Sequence, residues 1–369
     1  YNENSGATPV RYRTAKADVY GYVSELLAKA TDQGALDAQL SADDKGRLLS
    51  FLQQWGQTKG PADGFGYTGG GNRGYASYPT AWDDMGTPLP GPAALSDVFA
   101  SQVGRYFGFE FEFDQAMLMF QPVGGMDQIP QALTRAIGSH KIQLGAVVTS
   151  ITDTADGATV TYTDPHGRMR QLTADYCIAA LPPHLLARIP HNLGPDVQAA
   201  LSRYRGTPVG KIGLEYKSRW WETDHRIYGG ITETDMDVSH IWYPSYGYHG
   251  RRGLVVGYYN TGANATTYGA LSPAEREARA VMQGVKIHGE KYRTELAHSF
   301  SQAWHLTPYL EGGWTSPPYN TPAYDLLQRP AGHVYFAGDW LSDMVAWQHG
   351  AFWSARNTVT ALHSRVMAH

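Results

Sequence analysis

Apolar positions recur at helical spacing in the first third of the chain and mostly at strand spacing after it. Val19, Tyr22, Val23, Leu26 and Leu27 share one face of a helix predicted over residues 15–30. Ser41, with Asp44 three positions on, has the form of an N-cap and opens a second helix through Leu48, Leu49, Phe51 and Leu52 to Trp55. Residues 60–91 are crowded with Gly, Pro, Tyr and Trp and read as an ordered loop; a third helix is expected over 94–107. Residues 117–133 read as strand, Gly124-Gly125 turn and helix. Three alternating runs follow, 141–151, 158–163 and 170–180, with the look of an antiparallel meander. A short helix at 197–204 leads into a strand at 210–216, with further strands at 239–243 and 253–259 and a helix at 272–285 that has Pro273 in its first position. Near the C-terminus, His333, Val334, Tyr335, Phe336 and Ala337 have the composition of a buried strand. Gly338 lets the chain turn, Asp339 sets a carboxylate just past the strand end, and Gly350 opens a helix with Ala351, Phe352, Ala355, Val359, Leu362 and Val366 at helical spacing.

A chain of 369 residues can bury two or three cores, so more than one domain is expected. The net charge of −4, with 17% charged residues, gives no electrostatic case for nucleic acid or an anionic membrane. No apolar run of 18 residues is present, and a soluble protein is expected, its compartment left open. The single Cys177 excludes an internal disulfide and any Cys-rich metal site. The triplet Asn264-Ala265-Thr266 fits a glycosylation pattern that arises often by chance. The 10 Trp and 24 Tyr are enough to line a pocket for a flat or apolar ligand as well as to fill cores. A start at Tyr1 after no signal-like segment reads as a processed, cropped or nicked product.

In open α/β sheets, ligands sit beyond the carboxyl ends of the strands, where a helix start offers N–H groups and a positive dipole end. A carboxylate at a strand end followed by such a helix suits a ribityl hydroxyl and an electron-poor ring that becomes anionic on reduction. The residues here, YFAGDW followed by AWQHGAFWSAR, closely resemble the C-terminal flavin motif of the amine oxidase superfamily, and within it the bacterial flavin-dependent L-amino acid oxidases. The resemblance runs over nearly the whole chain, with several motifs in the family's order. It implies a mixed α+β / α/β architecture of two domains, FAD-binding and mixed-sheet substrate-binding, with an inserted helical domain. Residues 1–115 would be the helical domain and adjoining loop, which in the family forms the entry channel and a dimer contact. Residues 116–204 and 326–369 would belong to the FAD-binding domain and 205–325 to the substrate domain.

The resemblance also assigns roles. FAD is the implied cofactor, contacted by Gly124, Gly125 and Met126, by Val148 (or Val147) against the adenine, and by Gly338, Asp339, Trp347 and Gln348. Trp314, after Gly312 and Gly313, matches a turn near the isoalloxazine, although a plain tight turn fits those glycines equally well. Lys211 matches the lysine that holds a water at flavin N5 and favours reoxidation by O2; on its own pattern it could equally be a solvent-facing strand lysine. Trp304 and Trp347 match an aromatic cage around the reacting α-carbon, and Tyr243 matches a tyrosine that binds the substrate carboxylate. The competing reading for the tryptophans is core packing, and for Tyr243 a structural hydrogen bond. His184, His240, His305 and His349 show no metal-ligand spacing, and no GxSxG is present.

The implied reaction is oxidative deamination of an L-amino acid to a 2-oxo acid, ammonia and hydrogen peroxide, by hydride transfer to flavin N5 with O2 as acceptor. Alternatives are a polyamine or monoamine oxidase, a flavin amino acid monooxygenase, and a silent oxidase-like subunit that only scaffolds a partner. No GxGxxG opens a βαβ unit, and Gly69-Gly70-Gly71 is not placed to be one. The chain is therefore expected to hold FAD poorly unless joined by an N-terminal fragment of about 100 residues or more carrying that motif, the complete unit forming a homo-oligomer, by family likeness a dimer. The arginine that in the family pairs with the substrate carboxylate would lie on the same fragment.

Overall fold

In a computed structural model of the chain, residues 1–3, 8–80, 84–110, 120–315 and 321–368 are described, and they form two compact units. The first comprises residues 1–118 with 233–236, the second residues 119–232 with 237–369. The strand expected at 117–121 falls largely outside the described residues.

The first unit is built on α1 (Tyr12–Asp32) and α2 (Ala42–Gly56), followed by a short pair β1 (Tyr75–Ser77) and β2 (Thr87–Pro88) and by α3 (Leu95–Ala100). Ser41 caps α2 as its sequence indicates, accepting the Asp44 N–H at 3.1 Å. Gly21 and Gly56 mark close approaches: a Cβ on Gly21 would overlap the Tyr67 ring, and one on Gly56 would overlap Ser24 on the neighbouring helix. Leu52, Ala28 and Phe65 form one small core; Val19, Val98 and Phe107 form another. The third expected helix is shorter than its pattern, because Gln102 turns left-handed (φ 54°) and the chain resumes as a 3-10 helix over Val103–Glu110. A buried ion pair ties the unit together. Asp18, 3% exposed, accepts from Arg73 Nε at 2.6 Å and from the Tyr67 hydroxyl at 2.8 Å, while Arg73 also reaches the Pro90 carbonyl. Burial and the Asp18 carboxylate push the Tyr67 phenol well above its ordinary pKa.

The second unit opens with α4 (Gln128–Ile137) and a meander of β3 (Val147–Thr154), β4 (Gly157–Thr163) and β5 (Met169–Ala174), all antiparallel. The expected run 170–180 divides at Asp175-Tyr176. Its second part, β6 (Cys177–Ala179), leaves the meander and pairs in parallel with a strand from the far end of the chain. The helices α5 (Pro183–Leu186) and α6 (Pro195–Leu201) then lead into β7 (Val209–Tyr216). After α7 (Trp220–Thr223) come β8 (Ile231–Glu233), β9 (His240–Trp242), β10 (Gly253–Thr261), α8 (Gly262–Gly269), α9 (Pro273–His288), α10 (Lys291–Thr294) and β11 (Leu296–Ala303). The five strands form one sheet in the order β11-β7-β10-β9-β8, with β7 antiparallel to both β10 and β11. Helix α9 starts at a full capping box between Ser272 and Glu275, with Pro273 at its first turn. The chain ends with α11 (Pro322–Leu327), β12 (Val334–Phe336), a 3-10 turn at Asp339–Leu341, and α12 (Gln348–Met367). Strand β12 pairs with β6, and around them Leu186, Leu201, Tyr204, Leu327, Val334, Phe336 and Trp340 form a core.

Candidate active site

Period-two alternation decides which side chains of the five-stranded sheet meet. Ile212, Leu214 and Tyr216 of β7 are fully buried on one face, where the Tyr216 hydroxyl donates to the Tyr292 carbonyl at 3.0 Å. Lys211 is on the other face. It pairs across the ladder with Tyr259 on β10 and Gln302 on β11, and its Nζ lies 4.1 Å from the Tyr259 ring centroid and 5.9 Å from that of Trp304. Trp304 follows directly on β11 in a 3-10 turn. Trp242 of β9 closes on the far side of Tyr259, with ring centroids 5.8 Å apart, and the His240 ring lies edge-on to it at 6.3 Å. A cation thus sits against aromatic faces, mostly out of water. Burial lowers the Lys211 pKa below its ordinary value and raises that of Tyr259.

The structure brings Lys211 and Trp304 together and puts Tyr243 elsewhere. Tyr243 is one residue past Trp242, so it faces the opposite side of the sheet, toward α9. There its hydroxyl, 3% exposed with its side chain, meets His288 Nε2 at 2.6 Å and Thr232 Oγ1 at 2.7 Å. Tyr243, expected to bind the substrate carboxylate, thus has its hydroxyl on Thr232 and His288, and the tyrosine beside Lys211 is Tyr259. Simple alternation along β10 misses it, because a bulge between Val256 and Tyr258 shifts the register by one residue. That shift turns Tyr258 inward opposite Ile212 and leaves Tyr259 opposite Lys211.

Trp314, expected near the isoalloxazine, sits in a turn that backbone bonds tie to Thr207. Its carbonyl accepts the Thr207 N–H at 2.8 Å, and Gly313 donates back to the Thr207 carbonyl at 2.9 Å. A Cβ on Gly312 would lie 2.8 Å from the Gly206 Cα, and one on Gly313 would overlap Val209. These glycines let two segments of the chain itself approach closely.

Around the C-terminal helix, Gly338 follows β12 and its N–H donates to Ser354 Oγ of α12 at 3.1 Å. The Asp339 carboxylate accepts the Ala346 N–H at 2.7 Å. Trp347 is the N-cap residue of α12 and Gln348 its first helical residue, and no side chain caps that helix start. Gly350 packs under the preceding loop, where a Cβ would overlap the Met344 carbonyl and Ser342 Oγ. Gly350→Ala is thus expected to cost about 1–3 kcal/mol, the usual penalty of an overpacked site, read as a drop in the thermal midpoint. Gly124 and Gly125 both take left-handed backbone (φ 95° and 116°), and nothing lies closer than 3.6 Å to a Cβ built on Gly124. Met126 leads from this turn into α4, and Val148 packs half-buried on the core beneath β3.

These features fit a flavin dinucleotide. A helix start with no side-chain cap, a strand-end carboxylate and an open glycine turn are the donors, acceptors and close backbone that such a ligand needs. Among the described residues no group of three or more His, Cys, Asp or Glu is placed to hold a metal ion, and no helix is long and apolar enough to cross a membrane.

Comparison with known proteins gives the same class. Solved structures superpose on this fold: cyclohexylamine oxidase from Brevibacterium oxydans IH-35A (TM-score 0.58, 21% identity, 66% of this chain and 53% of that one) and putrescine oxidase bound to putrescine (TM-score 0.57, 20% identity, 77% and 61%). The fold is that of the FAD-dependent amine oxidases. Residues 82–363 match the model of the flavin containing amine oxidoreductases, and the chain belongs to that family, with FAD as the cofactor. Its curated relatives include L-amino-acid oxidases of Vipera ammodytes ammodytes (30% identical over 249 residues, 65% of this chain and 49% of the relative) and Pseudechis australis (30% over 261 residues, 69% and 48%). The chain spans about half the length of these relatives.

Proposed function

We propose that this chain supplies the substrate half and the C-terminal flavin contacts of an FAD-dependent L-amino acid oxidase, giving a 2-oxo acid, ammonia and hydrogen peroxide. The observation that carries the reading is the Lys211 ammonium held at 4.1 Å from the Tyr259 ring and 5.9 Å from that of Trp304. The L-amino-acid oxidases that are 30% identical to it support the substrate class.

FAD, when bound, accepts the substrate's α-hydrogen as hydride and returns the electron pair to O2. The protein's part is positioning and charge. In this reading Trp304 and Trp347 flank the α-carbon, the Tyr259 hydroxyl binds the carboxylate, and Lys211 keeps a water and a positive charge where O2 is reduced. Gly338, Asp339 and the α12 start would hold the ribityl and ring, Gly124 to Met126 the second flavin edge, and Val148 the adenine side.

We infer further that a segment carrying a dinucleotide-binding turn completes the FAD site. Among the described residues β6 and β12 form a sheet of two parallel strands, whereas parallel sheets are usually larger and buried on both faces. Phe120 and Val123 are 95% and 100% exposed, and α4 buries none of its residues. More protein is needed to cover such a surface.

The test is turnover of a panel of L-amino acids and simple amines by the complete protein, with 2-oxo acid and peroxide quantified. Peroxide and 2-oxo acid in equal amounts from L-amino acids support the reading. Turnover of amines alone, or an amide product, would replace it with an amine oxidase or a monooxygenase. In the same assay Tyr259→Phe is expected to raise KM about tenfold or more, the effect of one lost hydrogen bond to a charged group. Tyr243→Phe should leave KM unchanged and lower stability by about 1 kcal/mol.

A further inference from the structure

The nine residues from Asp339 to Trp347 are strapped down by their own polar groups. Ser342 Oγ, on a residue 2% exposed, donates to the Asp339 carbonyl at 2.7 Å and accepts the Met344 N–H at 3.1 Å. The carboxylate of Asp339 then reaches over the strap to take the N–H of Ala346 at 2.7 Å. Ala346 is the unusual residue. It has φ 67°, a left-handed conformation that alanine resists and glycine adopts freely. Immediately after it, Trp347 returns to extended backbone (φ −108°, ψ 140°) as the N-cap of α12. A side chain in an unfavoured backbone state persists only when its surroundings over-determine it. Here the Asp339 carboxylate holds the Ala346 N–H, and the strap just before it, at Ser342 and Met344, packs directly on Gly350.

We propose that Asp339 is a positioning residue for Trp347: by binding the Ala346 N–H it holds the left-handed turn that presents the indole at the start of α12. This rests on the reading of Trp347 as a wall of the substrate slot, and it gives Asp339 a second task beside the ribityl contact assigned above. The strap engages the Oδ2 of that carboxylate. Because the bond is made entirely by the chain's own groups, the fold itself places the indole, and little binding energy need go into ordering it.

The experiment uses the whole chain with Asp339→Ala, Asp339→Asn, Ala346→Gly and the double variant Asp339→Ala/Ala346→Gly. Two quantities are read: the thermal midpoint, and the Trp347 emission, taken as the difference between each variant and the same variant carrying Trp347→Phe. Asp339→Ala should lower the midpoint by about 3 °C and shift the Trp347 emission to the red. Asp339→Asn, which keeps an oxygen to accept the Ala346 N–H, should recover at least half of both changes. In the Ala346→Gly background, Asp339→Ala should cost less than half of what it costs alone, because glycine takes the turn without help. The proposal is overturned if Asp339→Ala leaves both readings unchanged, if the asparagine variant loses as much as alanine, or if the loss is equal in the two backgrounds. None of these readings involves turnover, so a failed oxidase assay and a failed strap are told apart.

Discussion

Lys211→Met is expected to slow reoxidation of the reduced flavin by about 10²-fold, in the range for removing one preorganised charge from a developing anion. Flavin reduction by substrate should change far less, because the ammonium lies at the ring faces of Tyr259 and Trp304 and is assigned no proton to take from the α-carbon. Stopped-flow measurement of the two half-reactions separates them, and equal losses in both would remove Lys211 from its role. The same substitution should act on stability in the opposite sense. Burial lowers the folded pKa of Lys211 below its ordinary value of 10.5. Below that folded pKa the buried side chain is charged, and its desolvation costs stability in full. As pH rises from the folded pKa toward 10.5, the unfolded chain binds more protons than the folded one, and stability climbs. Lys211→Met removes the penalty. It should therefore be at least as stable as the parent at neutral pH, with its margin shrinking as the pH approaches 10.5. A residue whose removal stabilises the fold while damaging one half-reaction is kept for chemistry.

The largest loss of stability is expected from Asp18→Ala in the helical unit. Among the described residues its carboxylate is the counter-charge to Arg73, which is 8% exposed, and it also anchors the Tyr67 hydroxyl at 2.8 Å. Taking one partner from a buried ion pair strands the other charge, at a cost of about 3–5 kcal/mol. A control tells a stranded charge from a merely lost contact. Replacing all three groups, Asp18→Leu with Arg73→Met and Tyr67→Phe, should cost less than Asp18→Ala alone, because no uncompensated charge stays buried. Urea unfolding followed by circular dichroism reads both. A triple variant less stable than Asp18→Ala would contradict this.

What could be read from the residue string divides along physical lines. Local signals came through: the Ser41 cap of α2, the start of α9 at Ser272 and Pro273, and the strand around Lys211, whose alternation fixes a single orientation. Strand β11 was missed because Leu296–Ala303 is rich in Ser, His and Ala, and its strand state comes from pairing with β7, not from its own preference. The division of 170–180 was hidden for a related reason: β6 is defined by β12, more than 150 residues later, and nothing local marks the change of partner. Around Lys211, the strand itself was legible and its neighbour Tyr259 was not. One residue of parity separates Tyr243 from Trp242, and one bulge separates Tyr259 from where plain alternation would put it. Gly312 and Gly313 show the limit of reading glycines: the need for close approach was visible, but not that the approaching groups are the Gly206-Thr207 backbone and the Val209 side chain.

The central claim is that the Lys211, Tyr259 and Trp304 pocket receives an α-amino acid against FAD. Its most direct measurement is an anaerobic titration of the complete FAD-loaded protein with L-amino acids, followed by the visible flavin spectrum. The expected result is stoichiometric bleaching by at least one L-amino acid, with colour restored by O2 quickly in the parent and slowly in Lys211→Met. A flavin that stays yellow with every L-amino acid, yet bleaches with simple amines, would contradict the claim.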